Sequence, residues 1–462
     1  MTDWKTRCAR RKQSQLDSIP REWLIEAPPA NQMNVMQIPR DSALLSIREL
    51  EITETVDVEV ILQKLASTEW SSVEVTTAFY KRAIIAQQLS YSRHEPRHRQ
   101  TNCLTEIFVE KALQRAKELD DILQATGKVS GPLHGLPISL KGTLMVVVNA
   151  INTSHQNFRS VHDEGTRDDH GSLRIPSAFC GLYTLRPSYE RLPYCGAVNA
   201  LEGQESISSV LGPMANSMSG VKVFTKAIID AKPWLKDPLA VRKDWSDKEY
   251  GLVYHGGGER LCFGIMWDND GGEDYRVSCE LSGEPLIQSM LPDEGAHETA
   301  IEEPYVKRLV GPPYHRNTYE LWNLHKEKRE LRKSHLDHWE ATISRTGTGR
   351  PIDAIISPAV AYAAVPHGLN TDSFYTTLCN AMDYATSVFP VTFVDATLDH
   401  RHPPHEFYNH EDEAIYNLYN SGLFDGCPVG LQLIGRTQEE EAVIAMTEIV
   451  DRALRRFEKF HA

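Results

Sequence analysis

Polar and apolar positions along the chain alternate with two different periods. From Glu54 to Ser67 the apolar residues Val58, Ile61, Leu62 and Leu65 recur at helical spacing, and the next segment opens with Ser71-x-x-Glu74, a capping box that satisfies orphan helix donors. A third helix is predicted over Glu106–Thr126, with Ile107, Leu113, Ala116, Leu119 and Leu123 near one face and Gly127 as its stop. After Gly131 the pattern changes to short apolar runs of strand length: Leu136–Leu140, Leu261–Trp267, Ile352–Ile356 and Val429–Ile434. Helical patterns separate these runs. A final helix, TQEEEAVIAMTEIVDRALRRFEKF, starts with Thr437 as N-cap and places acidic residues in its first turn and Arg455 and Arg456 in its last, which suits the helix dipole.

Strands alternating with helices predict an α/β fold, a mixed and mainly parallel β-sheet core flanked by α-helices. The division expected is a helical N-terminal region over residues 1–130 and a core over residues 131–462. The segment SYSRHEPRHRQ, between the second and third helices, reads as an exposed loop because of Pro96 and its charge.

Composition narrows the range of partners. The chain has 462 residues, a net charge of -14, 41% hydrophobic and 24% charged residues, as for a folded soluble protein. The acidic balance repels phosphate backbones and anionic membranes, so neither nucleic acid nor membrane is expected and a small-molecule substrate is. The basic N-terminus lacks the apolar core of a signal peptide, which makes the cytoplasm the expected location. Eight cysteines without a CxxC pair read as ordinary buried thiols in a reducing compartment, not as a disulfide or zinc scaffold.

Two residues stand out chemically. Lys141, at the end of the Leu136–Leu140 run, is a candidate base if desolvation lowers its pKa, or a lysine that snorkels out of the sheet edge. Ser172 follows a glycine in GTRDDHGSLRIP and is a candidate nucleophile with backbone N–H groups beside it, or a loop serine. Histidines 400, 402, 405 and 410 lie among acidic residues but, with two prolines and no regular ligand spacing, read as a solvated loop. HGGGER, His255–Arg260, has the composition of an esterase oxyanion loop without a GxSxG elbow and reads as a turn before a strand.

GPLHGLPISLKG resembles the strand that carries the catalytic lysine of the amidase signature family, and DDHGSLRIPSAFCGLYTLRPS resembles that family's serine segment. NALEGQESISSVLGPMANS, GRPIDAIISPAVAYAAVPHG and FDGCPVGLQLIGRTQEEEAVIAM are similar to later family segments, so the resemblance covers nearly the whole chain and points to the fungal general amidases of the acetamidase type. It implies the amidase signature fold and hydrolysis of a carboxylic acid amide to a carboxylate and ammonia through a serine acyl-enzyme. Lys141 matches the family's base and Ser172 its nucleophile, while Asp169, His170, Gly171 and Ser172 occupy the positions whose N–H groups form the oxyanion hole. No metal or organic cofactor is implied.

The sequence also departs from the family pattern. No Gly-Gly-Ser-Ser-Gly-Gly loop, the home of the bridging serine, occurs between Lys141 and Ser172; Ser139, Ser154 and Ser160 lack its glycine setting. His170 replaces a glycine of the oxyanion loop, and the chain passes from Asp270 directly to GGEDYRVS, where the family has a helix and a strand. These gaps read as internal deletions. They leave a catalytically impaired relative, or an incorrectly assembled gene sequence, as the alternative reading.

Overall fold

The computed structural model describes residues 6, 10, 13–15, 17–26, 28, 35–89, 108–139, 173–197, 207–266, 318–365, 370, 374–407 and 410–461, side chains excepted at 410, 411 and 457–461. These residues fall into two compact units, Met1–Asp163 with Gly196–Val198, and Glu164–Cys195 with Asn199–Ala462.

The first unit is helical where described. Helices α1 (Ile47–Glu54), α2 (Val58–Ala66), α3 (Ser72–Gln88) and α4 (Val109–Thr126) follow one another along the chain. Ile52, Ile61, Leu65, Trp70, Val75 and Ala78 form their core. The capping box read from the sequence is present: Glu74 N donates to Ser71 Oγ at 3.1 Å, and Ser71 N donates to Glu74 Oε2 at 2.8 Å. A second box, Ser46 with Glu49, opens α1. The carboxylate of Asp120 on α4 accepts from Ser72 N at 2.6 Å and Val73 N at 3.1 Å, so a neighbouring helix satisfies the first free donors of α3. Gly127 ends α4 in the left-handed region, at φ 66°, as its position in the sequence predicts.

The expected strand at Leu136–Leu140 does not form within 136–139, and Leu140 lies outside the described residues. Pro137 has no N–H to offer a ladder, and Ile138 is 44% exposed rather than buried in a sheet.

The second unit is built on a sheet. Its described strands are β1 (Tyr183–Arg186), β2 (Met214–Ala215), β3 (Phe263–Ile265), β4 (Ala354–Pro358), β5 (Thr386–Phe393) and β6 (Pro428–Ile434), in the order β2-β1-β5-β6-β4-β3. The sheet is mixed and flanked by helices, as expected. Its directions correct the expected parallel majority: among the described strands only β3 and β4 pair parallel, and the other pairings are antiparallel. Apolar periodicity reports which face a strand buries and carries no information about the direction of its neighbour.

Alternation along β5 separates two helical layers. Ser387 Oγ is 2.5 Å from Thr447 Oγ1 on helix α9 (Glu440–His461), and Phe389 packs in the same cluster as Ala442 to Met446. The intervening Val388 packs with Ala178 of the short helix α5 (Arg174–Phe179). Successive side chains on a strand point to opposite faces, so α5 and α9 lie on opposite sides of the sheet. Helices α6 (Met218–Asp230), α7 (Thr318–Ala341) and α8 (Phe374–Met382) also belong to this unit.

Helix α9 starts at Glu440 and not at Thr437, because Gln438 takes a left-handed turn at φ 67°. Its acidic first turn does more than complement the dipole. Glu440 and Glu441 are fully buried, and Arg191, itself fully buried, meets them at 3.3 Å and 2.5 Å. Ser188 N donates to Glu440 Oε1 at 2.8 Å and Ser246 N to Glu441 Oε1 at 3.2 Å. Removing the cation leaves two buried carboxylates with backbone donors and, for Glu441 only, Lys243 Nζ at 3.7 Å. Arg191→Ala is therefore expected to destabilise the second unit by about 3–5 kcal/mol, measured by urea unfolding.

Candidate active site

Lys141, Asp169, His170, Gly171 and Ser172 all lie outside the described residues; what the structure does describe is the frame that begins with the next residue, Leu173. Helix α5 follows immediately, in the segment RIPSAF. Proline is tolerated at Pro176 because this close to a helix start its missing N–H has no intrahelical acceptor to lose. Gly181, at φ 64°, turns the chain out of the helix, and Leu182 N donates to Ser177 O at 2.8 Å as it enters β1.

Arg174 is fully buried, and two segments distant in sequence hold it. Its Nη2 donates to Thr376 O at 2.6 Å and Asn380 Oδ1 at 2.8 Å, both on α8, and its Nη1 donates to Gln432 Oε1 at 3.3 Å on β6. Gln432 Nε2 in turn donates to Tyr375 O at 2.8 Å and to Ser357 Oγ and Pro358 O at 3.0 Å. Register explains why Gln432 is available. It pairs with Val388 on one side and Ser357 on the other, and laterally paired residues share a face, here the face that carries α5. A buried guanidinium is tolerable only where its N–H groups meet oxygens, and this face supplies them.

Two close approaches tighten the frame. A Cβ on Gly430 of β6 would lie 3.0 Å from Ala178 Cβ, so glycine there lets the strand reach α5. A Cβ on Gly212 would lie 2.0 Å from Leu185 O and 3.0 Å from Leu173 Cδ1, so only glycine lets this segment run against β1 and the residue that follows Ser172. The segment then leads through β2 to Ser217, which caps α6 by accepting from Gly220 N at 3.3 Å.

Arg174, Asn380, Gln432 and Gly430 are not among the residues that the sequence singles out. The available signal was an arginine and a glutamine inside otherwise apolar segments, LRIPSAF and VGLQLI.

The other candidates resolve differently. Residues 399–407 form an irregular, largely exposed segment, with His405 Nε2 3.0 Å from Asp412 Oδ2. Among the described residues no group of three or more His, Cys, Asp or Glu could hold a metal ion. None of the described cysteines is in a disulfide, and Cys379 alone among them is buried, which corrects the expectation of generally buried thiols. HGGGER forms a turn before β3, with Gly256, Gly257 and Gly258 at φ 66°, 68° and 80°. It seats His255 Nδ1 3.0 Å from the buried Asp353, whose Oδ2 accepts from Cys262 N at 2.8 Å. Burial works to raise the Asp353 carboxyl, but the bonds from His255 and Cys262, with the charges of His255 and Arg350, outweigh it and hold the group below its ordinary range.

Comparison with known proteins agrees over the whole length. The sequence profile of the Amidase family matches residues 86–154, 165–252 and 297–444. The chain is 30% identical to an acetamidase of Aspergillus oryzae, over 98% of this chain and 99% of the relative, and 28% identical to an acetamidase of Emericella nidulans, over 98% of each. The first alignment spans 553 positions against the 462 residues of this chain, so the relative carries residues with no counterpart here. The profile match breaks at 155–164, between Lys141 and Ser172, and again at 253–296. Among solved structures, fatty acid amide hydrolase shares the fold with a TM-score of 0.74 and 24% identity, over 98% of this chain and 95% of that one.

Arg174→Met takes the guanidinium donors away from the buried oxygens of Thr376, Asn380 and Gln432, of which Asn380 Oδ1 keeps Arg186 Nε at 3.2 Å, and is expected to cost about 3 kcal/mol in urea unfolding; Arg174→Lys, which lacks the fork, recovers less than half of the loss. The depressed Asp353 pKa contributes stability that is fully present above the ordinary carboxyl pKa of about 4 and is lost as pH falls through the lower folded value. Thermal unfolding from pH 7 to pH 2 should therefore show a shallower acid decline for Asp353→Asn than for the parent chain.

Proposed function

The chain belongs to the amidase signature family and is an amide-hydrolysing enzyme, and from that premise we propose that Ser172 is its acyl-carrying nucleophile, Lys141 its base and a small linear carboxamide its substrate. Hydrolysis in this family passes through a serine acyl-enzyme. Ser172 Oγ adds to the amide carbonyl carbon as its proton moves toward Lys141. The C–N bond then breaks, and the nitrogen takes up a proton and leaves as ammonia. Water adds to the resulting ester, its proton is removed, and the carboxylate departs as the serine hydroxyl is restored. The backbone N–H groups of Asp169, His170, Gly171 and Ser172 face the charge that develops on the carbonyl oxygen. No cofactor enters the cycle. The cytoplasm is the proposed location.

The run LRIPSAFCGLYTLRPS carries this reading, since it follows Ser172 directly within a chain that resembles acetamidases over 98% of its length. The buried Arg174 seat lends further support, because it gives the chain a rigid point two residues beyond the nucleophile. The acetamidase relatives favour a short acyl group over a long one.

One member of the family's proton relay has no match. Without a Gly-Gly-Ser-Ser-Gly-Gly loop between Lys141 and Ser172, deprotonation of the nucleophile is the weakest step, and turnover is expected to be slow. His170, in place of glycine, restricts the oxyanion loop at the same point.

Ammonia release from acetamide by the purified full chain tests the assignment. Ser172→Ala should abolish turnover and fluorophosphonate labelling, and Lys141→Ala should lower kcat by about 10²–10⁴-fold. Turnover that persists in Ser172→Ala refutes the nucleophile, and absence of both turnover and labelling in the parent chain refutes activity of this sequence.

A further inference from the structure

His134 is a buried histidine to which the proposed chemistry gives no task. It is 3% exposed, and its Nδ1 lies 3.1 Å from both Ser130 N and Ser130 Oγ. A backbone N–H can only donate, so Nδ1 is the acceptor and bears no proton; the ring is neutral, with its hydrogen on Nε2. That Nε2 is buried and has no hydrogen-bond partner among the described residues, and the same holds for Ser72 Oγ of α3.

The ring closes a turn. His134 N donates to Gly131 O and Leu136 N to Leu133 O, each at 3.2 Å. The turn lies directly on the helical core: a Cβ on Gly135 would stand 2.5 Å from Ser72 Oγ and 3.0 Å from Leu65 Cδ2, and Leu136 packs against the cluster that contains Ile61, Leu65 and Trp70. Lys141 follows Leu136 by five residues, so this turn is the described anchor nearest before it in the chain.

A proton on Nδ1 would undo the arrangement. Ser130 Oγ can reverse its role and accept, but Ser130 N cannot, so two N–H groups would face each other. The imidazolium would also be buried. The charges that act on the ring come from α4, where Asp120 favours the cation and Arg115 opposes it; α3 presents the uncharged hydroxyl of Ser72 to the turn. Asp120 is already committed, since it accepts from Ser72 N at 2.6 Å and Val73 N at 3.1 Å. Burial, with Arg115, outweighs Asp120 and holds the His134 pKa below the ordinary histidine value of 6.5.

We infer that His134 is a pH-sensitive latch: the neutral ring holds the turn at residues 130–136 on α3, and a proton on Nδ1 releases it. The depressed folded value sets the sign. The hold is complete above the ordinary histidine pKa and is lost as pH falls through the lower folded one. The bearing of the latch on catalysis rests on the reading of Lys141 as the base, because release frees the chain five residues before it. The latch itself is a property of the turn.

Hydrogen exchange of the full chain between pH 8 and pH 4.5, read by mass spectrometry on peptides spanning 128–139 and 109–126 and corrected for the intrinsic pH dependence of exchange, tests it. The parent chain should lose protection at 128–139 by about tenfold or more on acidification while the α4 peptide keeps its own. His134→Asn, whose Oδ1 can accept from Ser130 N and does not titrate in this range, should keep its protection at both ends. His134→Phe fills the space without an acceptor and should be weakly protected throughout; if it fails to fold, the Asn variant decides alone. Protection in the parent that does not change with pH, a loss of equal size in His134→Asn, or an equal loss in the α4 peptide overturns the latch. Turnover is not read, so a failure of the latch and a failure of the proposed chemistry are told apart.

Discussion

A guanidinium in a protein interior has to meet oxygens at its N–H groups, and in this chain that requirement decides where the segment after Ser172 can lie. Arg174 satisfies it with Thr376 and Asn380 of α8 and Gln432 of β6, partners more than two hundred residues away in sequence. Gln432 can serve only if β6 keeps its register, since a slip of one residue would turn it to the α9 face and put Leu433 or Leu431 against the cation. Helix α5, the β5–β6 pairing and the seating of α8 are therefore one problem with one solution. Gly430 is part of it, because any side chain there would hold the strand off the helix.

The opposite face is anchored by a second buried cation. Arg191, just beyond β1, meets Glu440 and Glu441 at the start of α9, so the polypeptide that runs from α5 through β1 is pinned on both sides of the sheet within twenty residues of Ser172. Charge burial of this kind contributes little net stability compared with apolar packing, yet it punishes any other arrangement heavily. For a hydrolase of the amidase signature type the benefit is geometric: a nucleophile needs a fixed approach to its substrate, and the segment held by the two buried arginines begins two residues after Ser172.

Local patterns made much of this architecture legible. Ser71 with Glu74, Gly127, and the strands at Ala354–Pro358 and Pro428–Ile434 appear where periodicity and capping chemistry place them. What the sequence hid was either long-range or internally contradictory. Strand β5 carries Pro390, which argues against a strand when read alone, and the ladder accommodates it with an irregular register between Pro390 and Thr392. The run at Leu136 has the composition of a buried strand, but burial depends on partners that composition does not reveal. Glu440 and Glu441 read only as an acidic helix start, because nothing adjacent announces Arg191. For the site, the text after Ser172 pointed to the serine, whereas the arginine seat two residues on could be read only once α8 and β6 were in place.

The central claim, that Ser172 carries the acyl group, is tested most directly by quenching the enzyme in acid during turnover of a short-chain amide and mapping the modified peptide by mass spectrometry. The account predicts an added acyl mass on the peptide containing Ser172, formed only with substrate and lost as the intermediate hydrolyses. An acyl group on any other residue, or amide turnover with Ser172 unmodified throughout, would contradict it.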